Sequence, residues 1–143
     1  MANNEKRKLL ICDDDNLLRP LLIDYFSAQG FDVTAAIDGI DCLEKVSGKE
    51  DEYCAYLLDI KMPRLDGVQA ATELRHRSTE APIIFMSGYS DVISTEQIAS
   101  LGVARFFTKP YSIVALGKDV LKICASADGE KPECEDSSLK KWF

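Results

Sequence analysis

The chain has 143 residues, of which 46% are hydrophobic and 29% are charged. This length suffices to bury a core, and the composition excludes a disordered tail protein, a collagen-like repeat and a small disulfide scaffold. Lys and Arg number 17 against 24 Asp and Glu, which gives a formal net charge of −7. Such acidity argues against direct binding of nucleic acid or of an anionic membrane.

The cysteine pattern predicts free thiols rather than a metal centre or a disulfide framework. The chain has five cysteines, an odd number, and its one histidine is His76. Thiols within apolar runs behave as small hydrophobic side chains, and we expect core or half-buried thiols at Cys12, Cys42, Cys54 and Cys124. No apolar stretch reaches the length of a signal peptide or a membrane span, so we expect a soluble cytoplasmic protein with no membrane partner.

Five short apolar runs recur along the chain and are predicted to be strands. They span residues 9–12, 32–37, 55–58, 83–86 and 105–108. Runs that are apolar on both faces are typical of parallel strands with helices packed on each side. The run at residues 32–37 is the weaker candidate, since it depends on Val33, Ala35 and Ile37.

Amphipathic stretches follow these runs and are predicted to be helices, because their apolar residues recur three and four positions apart. They span residues 17–26, 40–46, 68–74, 92–101 and 113–124. Pro20 lies within the first stretch and cannot donate to the carbonyl of Asn16, which predicts a kink or an irregular first turn. The alternation of strand and helix predicts a three-layer α/β fold with a doubly wound parallel sheet.

Composition divides the chain into three parts. Residues 1–6 form an N-terminal extension, residues 7–126 hold the five strand and helix pairs, and residues 127–143 are expected to be a disordered tail or a linker stub. The tail shows no apolar periodicity before Leu139, Trp142 and Phe143. The sequence leaves open whether this segment leads into a longer protein.

Polar residues stand at the ends of four predicted strands. Asp13 and Asp14 follow the first strand, Asp59 the third, Ser87 the fourth and Lys109 the fifth. Ligands of open α/β sheets bind at this edge, and crowded carboxylates favour a hard divalent cation such as Mg²⁺. A carboxylate can also attack phosphorus, and a lysine and a hydroxyl can then bind the phosphoryl oxygens. The set therefore predicts phosphoryl transfer that depends on a cation.

Four segments in this order resemble the receiver domain of two-component response regulators, over residues 7–126. They are LLICDDD at 9–15, LLDIKMPRLDG at 57–67, FMSGY at 85–89 and FTKP at 107–110. Each motif is weak alone, but four at the ends of the right strands are specific. The resemblance implies a flavodoxin-like strand order, 2-1-3-4-5. It also implies a signalling switch that takes its phosphoryl group from a sensor histidine kinase or a histidine phosphotransfer protein, and not an enzyme with external substrates.

The resemblance assigns the acidic residues to two roles. Asp59 matches the phosphoacceptor. Asp14 matches a direct ligand of Mg²⁺, Asp13 a ligand through water, and Asp59 with the backbone carbonyl of Lys61 complete the metal site. Mn²⁺ could replace Mg²⁺ there. No other cofactor is implied.

The remaining motif residues match the parts that respond to phosphorylation. Ser87 matches the hydroxyl, and Lys109 the lysine, that bind the added oxygens. Phe106 matches an aromatic residue that changes rotamer, where the family more often has Tyr. Pro110 matches a position at which a cis Lys-Pro bond is usual. Output is expected through the fourth helix, fifth strand and fifth helix, toward a protein partner that the sequence does not name, with a homodimer among the alternatives.

Other interpretations stay open at this stage. Asp15 can be read as a helix cap, since carboxylates favour helix starts. A module that binds partners without phosphorylation would keep the fold and not the cycle. A phosphatase of the haloacid dehalogenase type would use Asp13 and Asp15 as its Asp-x-Asp pair, although this chain has no obvious cap insertion and Asp59 would be left unexplained.

The resemblance also implies that two bulky residues flank the phosphoryl site, Lys61 two positions after Asp59 and Tyr89 two positions after Ser87. We expect them to shield an acyl phosphate from water. Replacing both, in Lys61→Ala with Tyr89→Ala, should shorten the lifetime of the phosphorylated protein, measured as loss of phosphate after removal of the donor. A lifetime equal to that of the unaltered chain would contradict this role.

Overall fold

A computed structural model describes residues 6–88 and 94–126 of the chain. Its strands are β1 (Lys8–Cys12), β2 (Asp32–Ala36), β3 (Tyr53–Asp59), β4 (Ile83–Ser87) and β5 (Arg105–Thr108). Its helices are α1 (Leu18–Ala28), α2 (Gly39–Val46), α3 (Gly67–His76), α4 (Thr95–Leu101) and α5 (Ile113–Ser126), with a 3₁₀ turn at Glu50–Glu52. All ten predicted elements are present. The predicted tail and the start of the fourth predicted helix lie outside the described residues.

The five strands form one parallel sheet in the order β2-β1-β3-β4-β5, which confirms the predicted doubly wound fold. Cys12 at the end of β1 pairs with Ala36 and with Leu58, and Ser87 at the end of β4 pairs with Thr108. The carboxyl ends of the strands therefore meet at one edge of the sheet. The polar residues that end β3 and β4 or follow β1 and β5 are gathered at that edge.

Helices cover both faces of the sheet and bury the strands on each side. Leu10 and Leu58 belong to the core under α2, α3 and α4, whereas Leu9 and Leu57 belong to the core under α1 and α5. Successive strand residues point to opposite faces, so a strand buried on both sides needs a continuous apolar run. None of the helices within the described residues combines the length and apolarity needed to cross a bilayer.

The start of α1 is set by Asp15. Its carboxylate accepts hydrogen bonds from the backbone N–H groups of Leu17 at 2.8 Å and Leu18 at 3.1 Å, which confirms the capping interpretation. Because the helix begins at Leu18, Pro20 lies in its first turn, where N–H groups have no acceptor within the helix. The missing N–H of Pro20 therefore requires no kink.

The apolar stripe predicted for α1 is only partly buried. Leu22 and Phe26 are fully buried, but Leu17 is 84% and Leu21 is 61% exposed. Consecutive helix residues point about 100° apart, so only one leucine of an adjacent pair can face the sheet. The sequence pattern thus overstated the buried face of this helix.

One prediction about the cysteines is wrong. Cys54 on β3 and Cys124 on α5 form a disulfide, with their Cα atoms 5.1 Å apart. Cys12 and Cys42 are free and buried, as predicted. The two bridged residues are 70 positions apart, and they meet because α5 packs across β3. No local spacing in the sequence signals such a contact.

The disulfide should stabilise the domain, because it closes a long loop in the unfolded chain. We expect Cys54→Ser with Cys124→Ser to lower the free energy of unfolding by about 2–4 kcal/mol, measured by urea denaturation. Reductant should lower the stability of the unaltered chain to that of the double variant. Cys134→Ser, which removes a thiol outside the described residues, is the control and should change little. A urea midpoint that does not respond to reductant would contradict the bridge.

Candidate functional site

Three carboxylates cluster at the carboxyl edge of the sheet. Asp13 and Asp14 follow β1 and Asp59 ends β3, and their ligand oxygens lie within 4.8 Å of one another. Asp13 and Asp59 are buried, and Asp14 is exposed. The strands bring them together because Cys12 and Leu58, the residues just before Asp13 and Asp59, are paired across β1 and β3.

Lys109 reaches this cluster from the other side. Its Nζ lies 3.0 Å from Oδ2 of Asp59 and 3.8 Å from Oδ2 of Asp13. The backbone N–H of Lys109 donates to the carbonyl of Ser87 at 2.6 Å, which ties the end of β5 to the end of β4. The Lys109–Pro110 peptide bond is cis. The lysine is thus a fixed neighbour of two of the three carboxylates.

The remaining predicted residues surround this centre at different depths. Ser87 is buried at the end of β4, and Phe106 is buried within β5 with its ring edge-on to Phe85 at a centroid distance of 6.5 Å. Lys61 follows β3 and lines the open pocket over the cluster. Tyr89 lies outside the described residues.

The pocket above the carboxylates has a volume of about 450 Å³. Its lining comes from the ends of β1, β3, β4 and β5, with Asp14, Asp15, Asp59, Lys61, Gly88 and Lys109 as its residues. Asp13 lies beneath this surface, fully buried. The pocket is wide open to solvent on its outer side, and Asp59 forms part of its lining.

Burial shapes the electrostatics of the cluster. Burial, with the neighbouring Asp13 carboxylate, raises the pKa of Asp59 to about 7, although Lys109 acts in the opposite direction. Burial likewise raises the pKa of Asp13, against the N–H of Asp15, which donates to its Oδ1 at 2.9 Å. Burial opposes the charge of Lys109 as well, but Asp59 and Asp13 outweigh it and raise the pKa of the ammonium. The site therefore holds more negative charge than its own lysine balances.

A divalent cation fits this surplus. Within the described residues, the buried Oδ2 of Asp13 accepts no hydrogen bond, which is a costly state for a carboxylate oxygen. Hard oxygen ligands of this kind, close together and partly open to water, suit Mg²⁺, which binds through one or two carboxylates and retains several waters. Asp13, Asp14 and Asp59 are the carboxylates that could hold it.

The loop between β3 and α3 folds tightly over the end of β3. The N–H of Gly67 donates to the carbonyl of Ile60 at 2.8 Å, and a Cβ at Gly67 would overlap the carbonyl oxygen of Asp59. Asp66 then caps α3 in a capping box with Gln69. Only glycine permits this close approach, so the loop geometry depends on the backbone at Gly67.

Sequence reasoning missed an ion pair beside this loop. Nε of Arg64 lies 2.7 Å from Oδ2 of Asp38, a buried carboxylate at the start of α2. Asp38 directly follows the second predicted strand, residues 32–37, but Arg64 is 26 positions further on, in the loop after β3. No signal in the sequence alone links them.

The comparisons with known proteins agree with this geometry. Residues 9–121 match the family model described as the response regulator receiver domain. Response regulator MprA of Mycobacterium avium (strain 104) is 30% identical over 138 residues, which cover 95% of this chain and 58% of that protein. The chain thus spans less than two thirds of the length of this curated relative.

Solved structures give the same result. The receiver domain of the Francisella response regulator 1452 has a TM-score of 0.76 and 27% identity, and the match covers 85% of this chain and 99% of that one. A CheY-like receiver domain protein from Methanospirillum hungatei JF-1 shares the fold, with a TM-score of 0.79 and 18% identity over 87% of this chain and 98% of that one. Since the family model covers most of the sequence and the fold agrees, this chain belongs to the response regulator receiver domain family.

Proposed function

We propose that this chain is a phosphorylation-dependent switch whose phosphoacceptor is Asp59. The observation that carries the proposal is the convergence of three carboxylates and the Lys109 ammonium at one open edge of the sheet. The donor is a phosphohistidine of a sensor histidine kinase or of a histidine phosphotransfer protein. The result is a change in how the surface of α4, β5 and α5 binds a protein partner or a second copy of the chain.

Asp59 is suited to attack phosphorus. A carboxylate oxygen of Asp59 forms a bond to the phosphorus as the bond from phosphorus to the donor imidazole nitrogen breaks, which leaves an acyl phosphate and a free imidazole. Asp59 must be ionised to attack, and Lys109 at 3.0 Å favours that form. Asp13, Asp14, Asp59 and the carbonyl of Lys61 would hold Mg²⁺. When bound, the cation supplies positive charge that neutralises the carboxylates and the phosphoryl oxygens.

The response to phosphorylation begins at Ser87 and Lys109. Lys109 contacts Asp59, and Ser87 directly follows Met86, the residue of β4 that pairs with Asp59, so an ammonium and a hydroxyl are near the position of the new oxygens. Ser87 is two residues beyond Phe85, whose ring packs against Phe106, so a movement at the end of β4 is transmitted to β5 by direct contact. Such a movement changes populations only through the contacts that differ between the two states.

The contacts of Asp15 tell against the phosphatase alternative. Oδ1 of Asp15 accepts hydrogen bonds from the N–H groups of Leu17 and Leu18, and Asp15 therefore caps the start of α1. An Asp-x-Asp pair of Asp13 and Asp15 would also leave Asp59 and Lys109 without a role, although they are the closest ion pair in the pocket. We therefore expect no turnover of simple phosphate esters.

Phosphorylation itself is the first test. Incubation of the full chain with acetyl phosphate and Mg²⁺ should add one phosphoryl group by intact mass. The adduct should be absent with EDTA and absent in Asp59→Asn.

Asp66→Asn is the matched control for that experiment. It makes the same chemical change seven positions along the chain, and asparagine keeps the helix cap, so it should be phosphorylated like the unaltered protein. An adduct that persists in Asp59→Asn would contradict the assignment. If acetyl phosphate gives no adduct and beryllofluoride does not bind, the proposed switch as a whole is contradicted.

The raised pKa of Asp59 predicts how stability changes with pH. Because the pKa rises from 3.8 to about 7, the folded metal-free chain binds more protons than the unfolded chain between about pH 4 and about pH 7. Its free energy of unfolding should therefore fall as the pH rises through that window. Asp59→Asn should stabilise the metal-free chain near pH 7.5 by on the order of 1–3 kcal/mol and have little effect near pH 4.

Urea denaturation of the two proteins at both pH values measures this effect. Mg²⁺ should stabilise the unaltered chain more near pH 7.5 than near pH 4, since protons compete for the same carboxylates. Asp66→Asn again serves as the control. An equal effect of Asp59→Asn at the two pH values would show that the buried charge of Asp59 is not its cause.

A further inference from the structure

Arg64 occupies an unusual backbone conformation next to the site. Its φ is +68°, in the left-handed region, and the only other described residue besides glycine with a positive φ is Ser78. A non-glycine residue in this region carries a cost in free energy and persists where surrounding contacts fix it. Glycine would fit this backbone without strain, so the contacts of the Arg64 side chain must offset the cost of the conformation.

The side chain of Arg64 makes a two-pronged ion pair. Nε donates to Oδ2 of Asp38 at 2.7 Å, and Nη2 donates to Oδ1 at 3.1 Å. The Asp38 side chain is only 4% exposed, and the Arg64 guanidinium, ahead of other causes, holds the pKa of that carboxyl below its usual range. Paired hydrogen bonds of this kind fix orientation as well as distance.

Asp38 is itself a junction of three elements. Its Oδ1 accepts from the N–H of Asp41 and so caps α2. Its carbonyl accepts from the thiol of Cys12, the residue just before Asp13. Through Asp38, Arg64 thus connects the loop after β3 to the start of α2 and to the end of β1.

A second contact fixes the same loop to the same place. The N–H of Gly39 donates to the carbonyl of Leu65 at 3.0 Å, and a Cβ at Gly39 would collide with that carbonyl. With Gly67 bonded to Ile60, the loop is held at its far end and at its root. The segment between, which carries Lys61 into the pocket wall, has two side-chain anchors: Arg64 on Asp38, and the buried Met62, whose Sδ accepts from the thiol of Cys12 at 3.4 Å.

We propose that Arg64 is a positioning residue for the cation site: its ion pair with Asp38 holds the β3–α3 loop so that Lys61 faces the Asp13, Asp14 and Asp59 cluster. The inference rests on the proposed function, because the cation that Lys61 would bind belongs to it. A backbone carbonyl binds a cation well only when the loop that carries it is already ordered. Arg64 touches neither the carboxylates nor a reacting atom, so it acts through the loop.

Calorimetric titration of the full metal-free chain with Mg²⁺ is the main test. Arg64→Ala should raise the dissociation constant for Mg²⁺ by about ten-fold, the lower range for outer contacts of a metal site. Arg64→Lys, which keeps the charge and loses the paired geometry, should recover part of the affinity. Arg64→Gly relieves the strain at φ +68° and should fold, yet it should lose affinity as Arg64→Ala does.

Arg77→Ala provides the matched control. Arg77 follows the opposite end of α3 and forms an ion pair with Glu50 at 3.1 Å, so its loss removes a comparable structural contact away from the pocket. It should lower the unfolding temperature and leave the affinity for Mg²⁺ unchanged. Asp38→Asn combined with Arg64→Ala should be no weaker in Mg²⁺ affinity than Arg64→Ala alone, since the two changes break one contact.

Hydrogen exchange gives a readout without any cation. The N–H of Gly39 is bonded to Leu65, so its exchange in the metal-free chain reports whether the loop is docked. Arg64→Ala and Arg64→Gly should speed this exchange, and Arg77→Ala should not. Unchanged Gly39 exchange and unchanged Mg²⁺ affinity in Arg64→Gly would overturn the role of Arg64. An unaltered chain that binds no Mg²⁺ would instead refute the proposed function.

Discussion

The burial of two neighbouring carboxylates, Asp13 and Asp59, is the constraint on which the site depends. Burying one carboxylate is costly, and burying two close together is more so unless positive charge lies nearby. The Lys109 ammonium contacts both, and the N–H of Asp15 donates to one oxygen of Asp13, but the other oxygen accepts no hydrogen bond within the described residues. The fold holds this residual charge in place, and a cation or a phosphoryl group that arrives there changes the balance of the whole edge.

The parallel topology of the sheet brings the residues of this cluster together although they are distant in the chain. Asp13, Asp59 and Lys109 end or follow three strands of one sheet. The backbone hydrogen bonds between these strands therefore fix their positions, and long side-chain networks are not needed. Two glycines complete the arrangement, because Gly39 and Gly67 let backbone segments approach where a Cβ would collide. The precision of the site thus comes mostly from the backbone, and side chains such as Arg64 add the last restraint.

Much of this could be predicted from the sequence, because it depends on local patterns. Apolar runs followed by polar residues locate β1, β3, β4 and β5, and ligand residues of α/β sheets fall at strand ends by topology. Long-range contacts could not be predicted, and the Cys54–Cys124 bridge and the Arg64–Asp38 ion pair both join residues distant in the chain. A pattern that predicts a helix also does not decide how wide its buried face is, which is why Leu17, just before α1, and Leu21 within it are exposed although both belong to the predicted stripe.

In the proposed switch, α4 is a short helix with few buried apolar residues. It has seven residues, the fewest among the five described helices, and its fully or nearly buried apolar residues are Ile98 and Leu101. Little apolar area therefore anchors it to the sheet, and segments with few buried contacts open at the lowest free energy. Its own ends are well formed, with a capping box at Ser94 and a left-handed glycine at Gly102, so it can shift as a unit without unwinding. A weakly anchored but internally stable helix that comes next in the chain after β4 among the described elements is suited to convert a change at the phosphoryl site into a change of surface.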